Sequence, residues 1–133
     1  MPDPAPSPAH RGRVLVADDE PHIRRILITL LKSASFQVDV VSDGAAALTR
    51  LLGRRRYDLV LLDIVMPRAS GLEVLERVRD LEHRRDVPIV ILTAKGQDVD
   101  RDQAFALGAS EFVTKPFSPK KLLARIDELL EQP

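Results

Sequence analysis

The sequence predicts an α/β domain in which a parallel sheet is covered by helices on both faces. Residues 59–62 and 87–92 are apolar runs of the kind found in strands buried on both faces. Such strands alternate five times with segments whose apolar residues recur at helical spacing, and this alternation calls for parallel strands joined by helices. The length of 133 residues suffices for one domain with a proper core.

The first elements follow a tail. Residues 1–12 carry proline at every second position from 2 to 8, and we expect this segment to be a disordered tail. The apolar run 14–17 is the first buried strand. Pro21 suits a helix N-terminus, and apolar residues follow it at helical spacing: Ile23, Ile26, Leu27, Leu30 and Leu31.

The next elements lead to the centre of the sheet. Residues 36–40 alternate apolar and polar, which predicts a strand near a sheet edge. Residues 45–52 form a helix after the turn 42–44, and the arginines 54–56 suit its C-terminus. Because a run of three arginines is short, we interpret it as a solvated helix end and not as a nucleic-acid patch. The run 59–62 is the third strand.

The second half continues the alternation. The third helix has a face of apolar residues: Leu72, Leu75, Val78 and Leu81. The fourth strand is 87–92, a weakly amphipathic helix spans 97–107, and the short fifth strand is 112–114. Ser118 and Pro119 begin the last helix as its N-cap and first helical residue, and its apolar face is Leu122, Ile126, Leu129 and Leu130.

Composition excludes several classes of protein. The chain has 20 basic and 20 acidic residues, so no bulk charge favours nucleic acid or an anionic membrane. The absence of cysteine excludes disulfides, thiol catalysis and cysteine-ligated zinc. No apolar run approaches the ~20 residues of a membrane span, and the N-terminus has no signal-peptide core. We therefore expect a cytoplasmic protein that binds neither nucleic acid nor membrane directly.

Polar side chains follow the strands at their carboxyl ends, where parallel sheets bind ligands. They are Asp18 and Asp19 after the first strand, Asp63 after the third, Thr93 after the fourth and Lys115 after the fifth. If the strand order is 2-1-3-4-5, these four strands are neighbours and the five side chains converge.

Three carboxylates that converge in this way repel one another. At ~4 Å and an effective dielectric constant of about 20, each like-charged pair costs roughly 4 kcal/mol, so a cation or protons must compensate. Oxygen ligands without histidine or cysteine favour Mg²⁺ or Mn²⁺ over zinc. The residues therefore predict a phosphoryl site that depends on Mg²⁺, with Asp63 as nucleophile and with Thr93 and Lys115 contacting phosphoryl oxygens.

The chain resembles the receiver domain of two-component response regulators over about residues 13–131. Four segments carry the resemblance: 16–21 (VADDEP), 61–67 (LLDIVMP), 91–94 (ILTA) and 114–117 (TKPF). The resemblance implies a flavodoxin-like (βα)5 fold, a doubly wound parallel sheet with strand order 2-1-3-4-5. It also implies that the chain is not an enzyme with an external substrate, because a receiver catalyses only its own phosphorylation and dephosphorylation.

The resemblance assigns roles to the residues at the strand ends. Asp63 would accept a phosphoryl group from a sensor histidine kinase or a phosphotransfer protein. Asp19, Asp63 and the backbone carbonyl of Val65 would ligate Mg²⁺, with Mn²⁺ as a possible substitute, and Asp18 would act mostly through water. Lys115 would contact the phosphoryl group, and its peptide bond to Pro116 is commonly cis in this family.

The resemblance also implies a switch. In the family, the threonine at the position of Thr93 turns toward the phosphoryl group, and the aromatic residue at the position of Phe112 swings inward behind it. Phenylalanine can fill that space, but it has no hydroxyl to donate where many relatives have tyrosine. Val65 and Lys95 would flank the path of the hydrolytic water, and because Val65 is apolar we predict slow self-dephosphorylation.

The output of the switch is open between two possibilities. The chain is either a stand-alone receiver that acts by protein contact or the receiver part of a longer winged-helix transcription regulator, which segment 115–125 resembles. Such receivers dimerise through helix four, strand five and helix five, and Glu111, Lys121 and Arg125 are candidate dimer contacts.

Two other classes of function fit the sequence less well. A haloacid dehalogenase-type phosphatase would need a second aspartate two residues after Asp63, where this chain has Val65. A receiver-like interaction module that is never phosphorylated would usually lack one of the five polar residues, and all five are present.

Overall fold

Five parallel strands form one sheet in the order β2-β1-β3-β4-β5. The computed structural model describes residues 10–94 and 98–131. Its strands are β1 (Gly12–Ala17), β2 (Phe36–Val41), β3 (Leu59–Leu62), β4 (Ile89–Thr93) and β5 (Glu111–Thr114). The predicted flavodoxin-like fold and strand order are confirmed, and the alternating strand β2 lies at a sheet edge as predicted.

Helices cover both faces of the sheet. They are α1 (Pro21–Ser33), α2 (Gly44–Leu52), α3 (Gly71–Arg79), α4 (Asp98–Ala106) and α5 (Pro119–Glu131), with a 3-10 turn at Glu82–Arg84. Core side chains of α1 and α5 share one apolar cluster, and those of α2, α3 and α4 share another, so the helices divide two and three between the faces. None of the described helices combines the length and the apolar character needed to cross a bilayer.

Helix ends follow the local chemistry of the sequence. Asp43 precedes α2, and its carboxylate accepts a hydrogen bond of 2.7 Å from Ala46 N. Ser118 Oγ accepts from Lys121 N at 3.2 Å, and Pro119 is the first residue of α5, as the sequence predicted. Capping of this kind satisfies backbone N–H groups that have no partner inside the helix.

The C-terminus of α2 differs from the prediction. The arginines 54–56 were expected to close this helix, but the carbonyls at its end are contacted by His83 Nε2, at 3.0–3.2 Å, and by Arg84, which is 3% exposed. It donates three hydrogen bonds of 2.6–3.0 Å to the carbonyls of Leu51, Gly53 and Arg55. A guanidinium group suits this place because its several N–H donors satisfy several carbonyls at once.

Several element boundaries also differ. The folded part begins before residue 13, because Arg11 N donates to Ser35 O at 2.9 Å and Gly12 pairs with Phe36. The remainder of the predicted tail, residues 1–9, and the first predicted residue of α4, Gln97, lie outside the described residues. Ile26, expected on the buried face of α1, is 42% exposed, so this face comprises Ile23, Leu27 and Leu31.

Candidate functional site

Register brings the ends of the strands to one level of the sheet. Ala17 of β1 pairs with Leu62 of β3, so Asp18 and Asp63 are the next residue on each strand. Asp63 N donates to Ala17 O at 2.9 Å. On the other side, Thr93 ends β4, and its carbonyl accepts a hydrogen bond of 2.9 Å from Lys115 N. The backbone ladder therefore places polar side chains from four strands at one edge.

Lys115 lies at the centre of this edge. Its Nζ is 2.8 Å from Asp18 Oδ2, 2.9 Å from Glu20 Oε1 and 3.0 Å from Asp63 Oδ2. The Asp18 contact is the shortest, but it is poorly directed for a hydrogen bond and acts mainly as an ion pair. The lysine side chain is 7% exposed, so this cation is enclosed by carboxylates more than by water.

Burial and the contacts with the Lys115 ammonium group have opposite effects on the pKa values of the site. Burial raises the pKa of Asp18, and its contacts with Lys115 and with Glu20 N only partly offset this effect. Burial alone would lower the pKa of Lys115, but its three carboxylate contacts outweigh burial and the pKa of this lysine is raised. The hydrogen bond from Lys115 lowers the pKa of Glu20. Lys115 is therefore firmly charged, and at Asp18 the effect of burial exceeds that of its polar contacts.

The loop after Asp63 is tightly folded. Asp63 is 4% exposed, and its Oδ1 accepts a hydrogen bond from Val65 N at 3.3 Å. Gly71 N donates to Ile64 O at 2.9 Å, and a Cβ on Gly71 would lie 2.0 Å from Asp63 O. Only glycine fits so close to this carbonyl, so Gly71 allows the loop to bend Asp63 into the site.

The carboxylates of the site fit a hard divalent cation. Asp18, Asp19, Glu20 and Asp63 each offer a ligand oxygen, and these four oxygens all lie within 4.8 Å of one another. The set contains oxygen donors only, which is the preference of Mg²⁺ and Mn²⁺. Burial raises the pKa of Asp18, which means that the ionised form of this carboxylate is incompletely stabilised. A cation here would supply the missing compensation.

The two switch candidates are both buried. Thr93 is 1% exposed at the end of β4. Phe112 is 9% exposed and belongs to the apolar cluster that also contains Ala104 of α4 and Ala109. Phe112 thus lies on the inside of β5 in this structure. Lys95, the second residue expected to flank the path of the hydrolytic water, lies outside the described residues.

The three candidate dimer contacts differ in whether they have a partner within the chain. Glu111 Oε2 and Arg125 Nε form an ion pair of 2.6 Å within the chain, and Arg125 also contacts Glu128 at 2.9 Å. Lys121 is exposed on α5. Two of the three candidates therefore already have an intramolecular partner.

Two neighbours of the site were missed by the sequence reasoning. Glu20, whose side chain is 41% exposed, contacts Lys115, and Glu20 N donates to Asp18 Oδ1 at 2.9 Å. Arg24 of α1 donates to Asp18 O at 2.8 Å. The position of Glu20 directly after Asp18 and Asp19 was a usable signal, whereas an arginine one turn into a helix gave none.

The cis peptide bond between Lys115 and Pro116, which the family resemblance suggested, is present. It directly follows the residue whose backbone and side chain both take part in the site.

Comparisons with known proteins agree with this geometry. A family model described as response regulator receiver domain matches residues 14–127. The transcriptional regulatory protein ResD of Bacillus subtilis is 38% identical over 120 residues, which cover 90% of this chain and 48% of ResD. The chain spans about half the length of the curated relatives it matches.

Solved structures show the same likeness. The Vibrio cholerae chemotaxis protein CheY4 is 30% identical, with a TM-score of 0.82 over 89% of this chain and 98% of that one. The receiver domain of the Pseudomonas aeruginosa sensor histidine kinase PA1611, solved with magnesium coordinated in its active-site cleft, is 28% identical. Its TM-score is 0.84, over 91% of this chain and 98% of that one.

Proposed function

This chain belongs to the response regulator receiver domain family of two-component systems, and on that premise we propose that Asp63 accepts a phosphoryl group in a reaction that depends on Mg²⁺. The phosphodonor is a phosphohistidine on a sensor kinase or a phosphotransfer protein. The proposed receiver comprises residues 13–131, joined in the fold by Arg11 and Gly12. We place the exchange in the cytoplasm, as is typical of receivers.

One observation carries this proposal: Asp63 Oδ2 is 3.0 Å from Lys115 Nζ at a strand end that it shares with Asp18 and Asp19. A carboxylate that is 4% exposed has a high desolvation cost unless it is paired, so its burial beside Lys115 supports a role in function. Phosphoryl transfer is catalysed mainly by positioning and by compensation of charge. A buried nucleophile, a cation and further carboxylates beside it meet both needs.

Each residue has a step in the proposed reaction. A carboxylate oxygen of Asp63 attacks phosphorus as the P–N bond to the donor histidine breaks, and that histidine keeps the bond's electron pair. Lys115 places its positive charge beside the phosphoryl oxygens, and Thr93 donates a hydrogen bond to one of them. The loop fixed at Gly71 holds Asp63 at the angle of attack.

A divalent cation completes the site. Asp19, Asp63 and the backbone carbonyl of Val65 would hold Mg²⁺, and Asp18 would contribute mostly through water. Mg²⁺ supplies positive charge that offsets both the carboxylates and the oxygens of the transferred group. The site residues themselves select oxygen-preferring cations, because the acidic cluster holds only carboxylates.

Phosphorylation is proposed to change the surface formed by α4, β5 and α5. Thr93 turns toward the phosphoryl group, and the buried ring of Phe112 fills the space that Thr93 leaves behind it. A homodimer through this surface would use Lys121 directly, whereas Glu111 and Arg125 must first exchange their mutual ion pair for contacts across the interface. Comparing the mass in solution with and without beryllofluoride, a phosphoryl mimic, tests this step, and an unchanged mass contradicts a phosphorylation-driven dimer.

A second candidate concerns the whole protein. The chain covers about half of ResD and of other relatives named as transcriptional regulators, which supports a role as the receiver part of a longer winged-helix DNA-binding regulator. The receiver chemistry is the same in both cases. A haloacid dehalogenase-type phosphatase is less well supported, because Val65 occupies the position of the required second aspartate.

Phosphotransfer tests the proposal most simply. Candidate sensor kinases phosphorylated on histidine are incubated with the wild type, with Asp63→Ala and with Asp127→Ala, which removes an exposed carboxylate of α5. We expect label to pass to the wild type and to Asp127→Ala only, and only when Mg²⁺ is present. Equal labelling of Asp63→Ala contradicts the assignment.

A further inference from the structure

Lys115 Nζ is surrounded by carboxylate oxygens in the resting site. An ammonium group has three N–H donors. Three carboxylate oxygens, from Asp18, Glu20 and Asp63, already lie within 3.0 Å of Nζ. A phosphoryl oxygen that approaches Lys115 therefore competes with oxygens already in place.

The three carboxylates differ in how readily they can leave. Asp63 becomes the bearer of the phosphoryl group, so it stays in the site by definition. Asp18 is 1% exposed, and its second oxygen is fixed by Glu20 N at 2.9 Å. The Glu20 side chain is 41% exposed and can turn into water at little desolvation cost.

Substitution of the Glu20 side chain removes one of the four carboxylates of the site but leaves Asp18, Asp19 and Asp63, which include both proposed carboxylate ligands of Mg²⁺. The backbone N–H of Glu20, which holds Asp18, is present in any residue except proline. Glu20 occupies the N-cap position of α1, yet among the described residues its side chain makes no capping hydrogen bond. Among the described residues, its other ionic contact is with His22, whose Nε2 is 3.7 Å away and whose side chain is 62% exposed.

We propose that Glu20 is a positioning residue that holds Lys115 in the resting state and restrains phosphorylation by competing with the phosphoryl group for the ammonium. The inference rests on the proposed function. Glu20 also adds a negative charge near the incoming anion, and this repulsion acts in the same direction as the competition. When the site is phosphorylated, the Glu20 carboxylate turns outward into solvent, whereas Asp18 stays inside.

Binding of beryllofluoride at saturating Mg²⁺ tests the proposal. The affinities of the wild type, Glu20→Ala and Glu131→Ala are measured by titration calorimetry. Glu131 is exposed at the far end of α5 and serves as the matched control. From the strength of a half-exposed ion pair, we expect Glu20→Ala to bind beryllofluoride about two- to fivefold more tightly than the wild type and Glu131→Ala to bind it equally. Thermal unfolding of each variant verifies that the fold is retained.

A second measurement separates competition for Lys115 from charge alone. In the wild type, the ¹³C signal of the Glu20 carboxyl group should move on adding beryllofluoride toward that of a solvated glutamate such as Glu131. Unchanged or weaker binding by Glu20→Ala, or a Glu20 signal that does not move, overturns the inference. If the wild type binds no beryllofluoride at all, the proposed function fails as well, so the two failures are distinguishable.

Discussion

Replacing Lys115 with methionine removes the one cation that, within the described part of the chain, contacts the carboxylates of both Asp18 and Asp63. Methionine has a similar length and can fill the space of the lysine stem, so the change is chiefly one of charge. Asp18 is 1% exposed and Asp63 4% exposed, and both lose their contact with Nζ. In the absence of Mg²⁺, each of these buried carboxylates then keeps a backbone N–H donor but loses the ammonium charge of Lys115.

The expected loss of stability follows from this arrangement. Breaking a buried ion pair by removing one partner costs about 3–5 kcal/mol. The lower end of this energy range applies here for two reasons. Solvent reaches the site beside Glu20, whose side chain is 41% exposed. Asp18, whose pKa is raised by burial, can also take up a proton. We expect a loss of about 3 kcal/mol, which lowers the melting temperature of a domain of this size by roughly 10 °C.

Thermal and urea unfolding of Lys115→Met at neutral pH without divalent cations measure this effect. Lys120→Met is the matched control, since Lys120 is exposed near the start of α5 and has no ion pair within the described part of the chain. Adding Mg²⁺ should restore more stability to Lys115→Met than to the control, because the metal replaces the missing positive charge. Equal stabilities of the two variants would refute the idea that Lys115 neutralises the site.

Three further results are expected. Val65→Asn should shorten the lifetime of the phosphorylated protein, because an amide can bind the attacking water and valine, 57% exposed, cannot; wild type that loses phosphate within seconds in Mg²⁺ contradicts this reasoning. Arg84→Met should cost about 2 kcal/mol of unfolding free energy in urea, because three hydrogen bonds from a buried guanidinium are lost and only the carbonyls of Leu51 and Gly53 keep a contact, with His83 Nε2. A loss no larger than that of the exposed Arg85→Met counts against this reasoning. Burial would raise the pKa of Glu111, but hydrogen bonds from Phe112 N and Arg125 outweigh it and lower that pKa below its ordinary value of 4.5. The stabilisation by ionised Glu111 is therefore present above pH 4.5 and is lost as the pH falls below that value. The difference in unfolding free energy between wild type and Glu111→Gln should shrink from pH 7 to pH 3. A difference that stays constant over this range would contradict the stabilising role of the Glu111 carboxylate.

The fold could be predicted because the pattern of apolar and polar residues along each strand indicates how deeply that strand is buried. An uninterrupted run such as 59–62 fits only a strand that is covered on both faces, and the alternation in 36–40 distinguishes the edge strand. The strand ends then follow from the first polar residue after each run. Boundaries that depend on distant partners were missed: β1 begins at Gly12 because Phe36 of β2 pairs with it.

The site was predictable to the extent that its residues stand at strand ends. Asp63 has no structural reason to follow a buried strand, so its sequence position alone marks it. Glu20 has an ordinary explanation as an acidic residue at a helix start, and its contact with Lys115 spans 95 positions of sequence. Arg84 is similar, since its three carbonyl partners lie about 30 positions away in another element. Contacts of this kind arise from tertiary packing and leave no local pattern.

The site of phosphorylation is the central claim, and chemical mapping tests it most directly. The protein is incubated with acetyl phosphate and Mg²⁺, treated with borohydride, which reduces an aspartyl phosphate to homoserine, and digested for peptide mass spectrometry. We predict that homoserine appears at position 63 and nowhere else, and that it is absent when Mg²⁺ is omitted. Homoserine at position 18 or 19, or a protein that stays unmodified with Mg²⁺ present, would contradict the account.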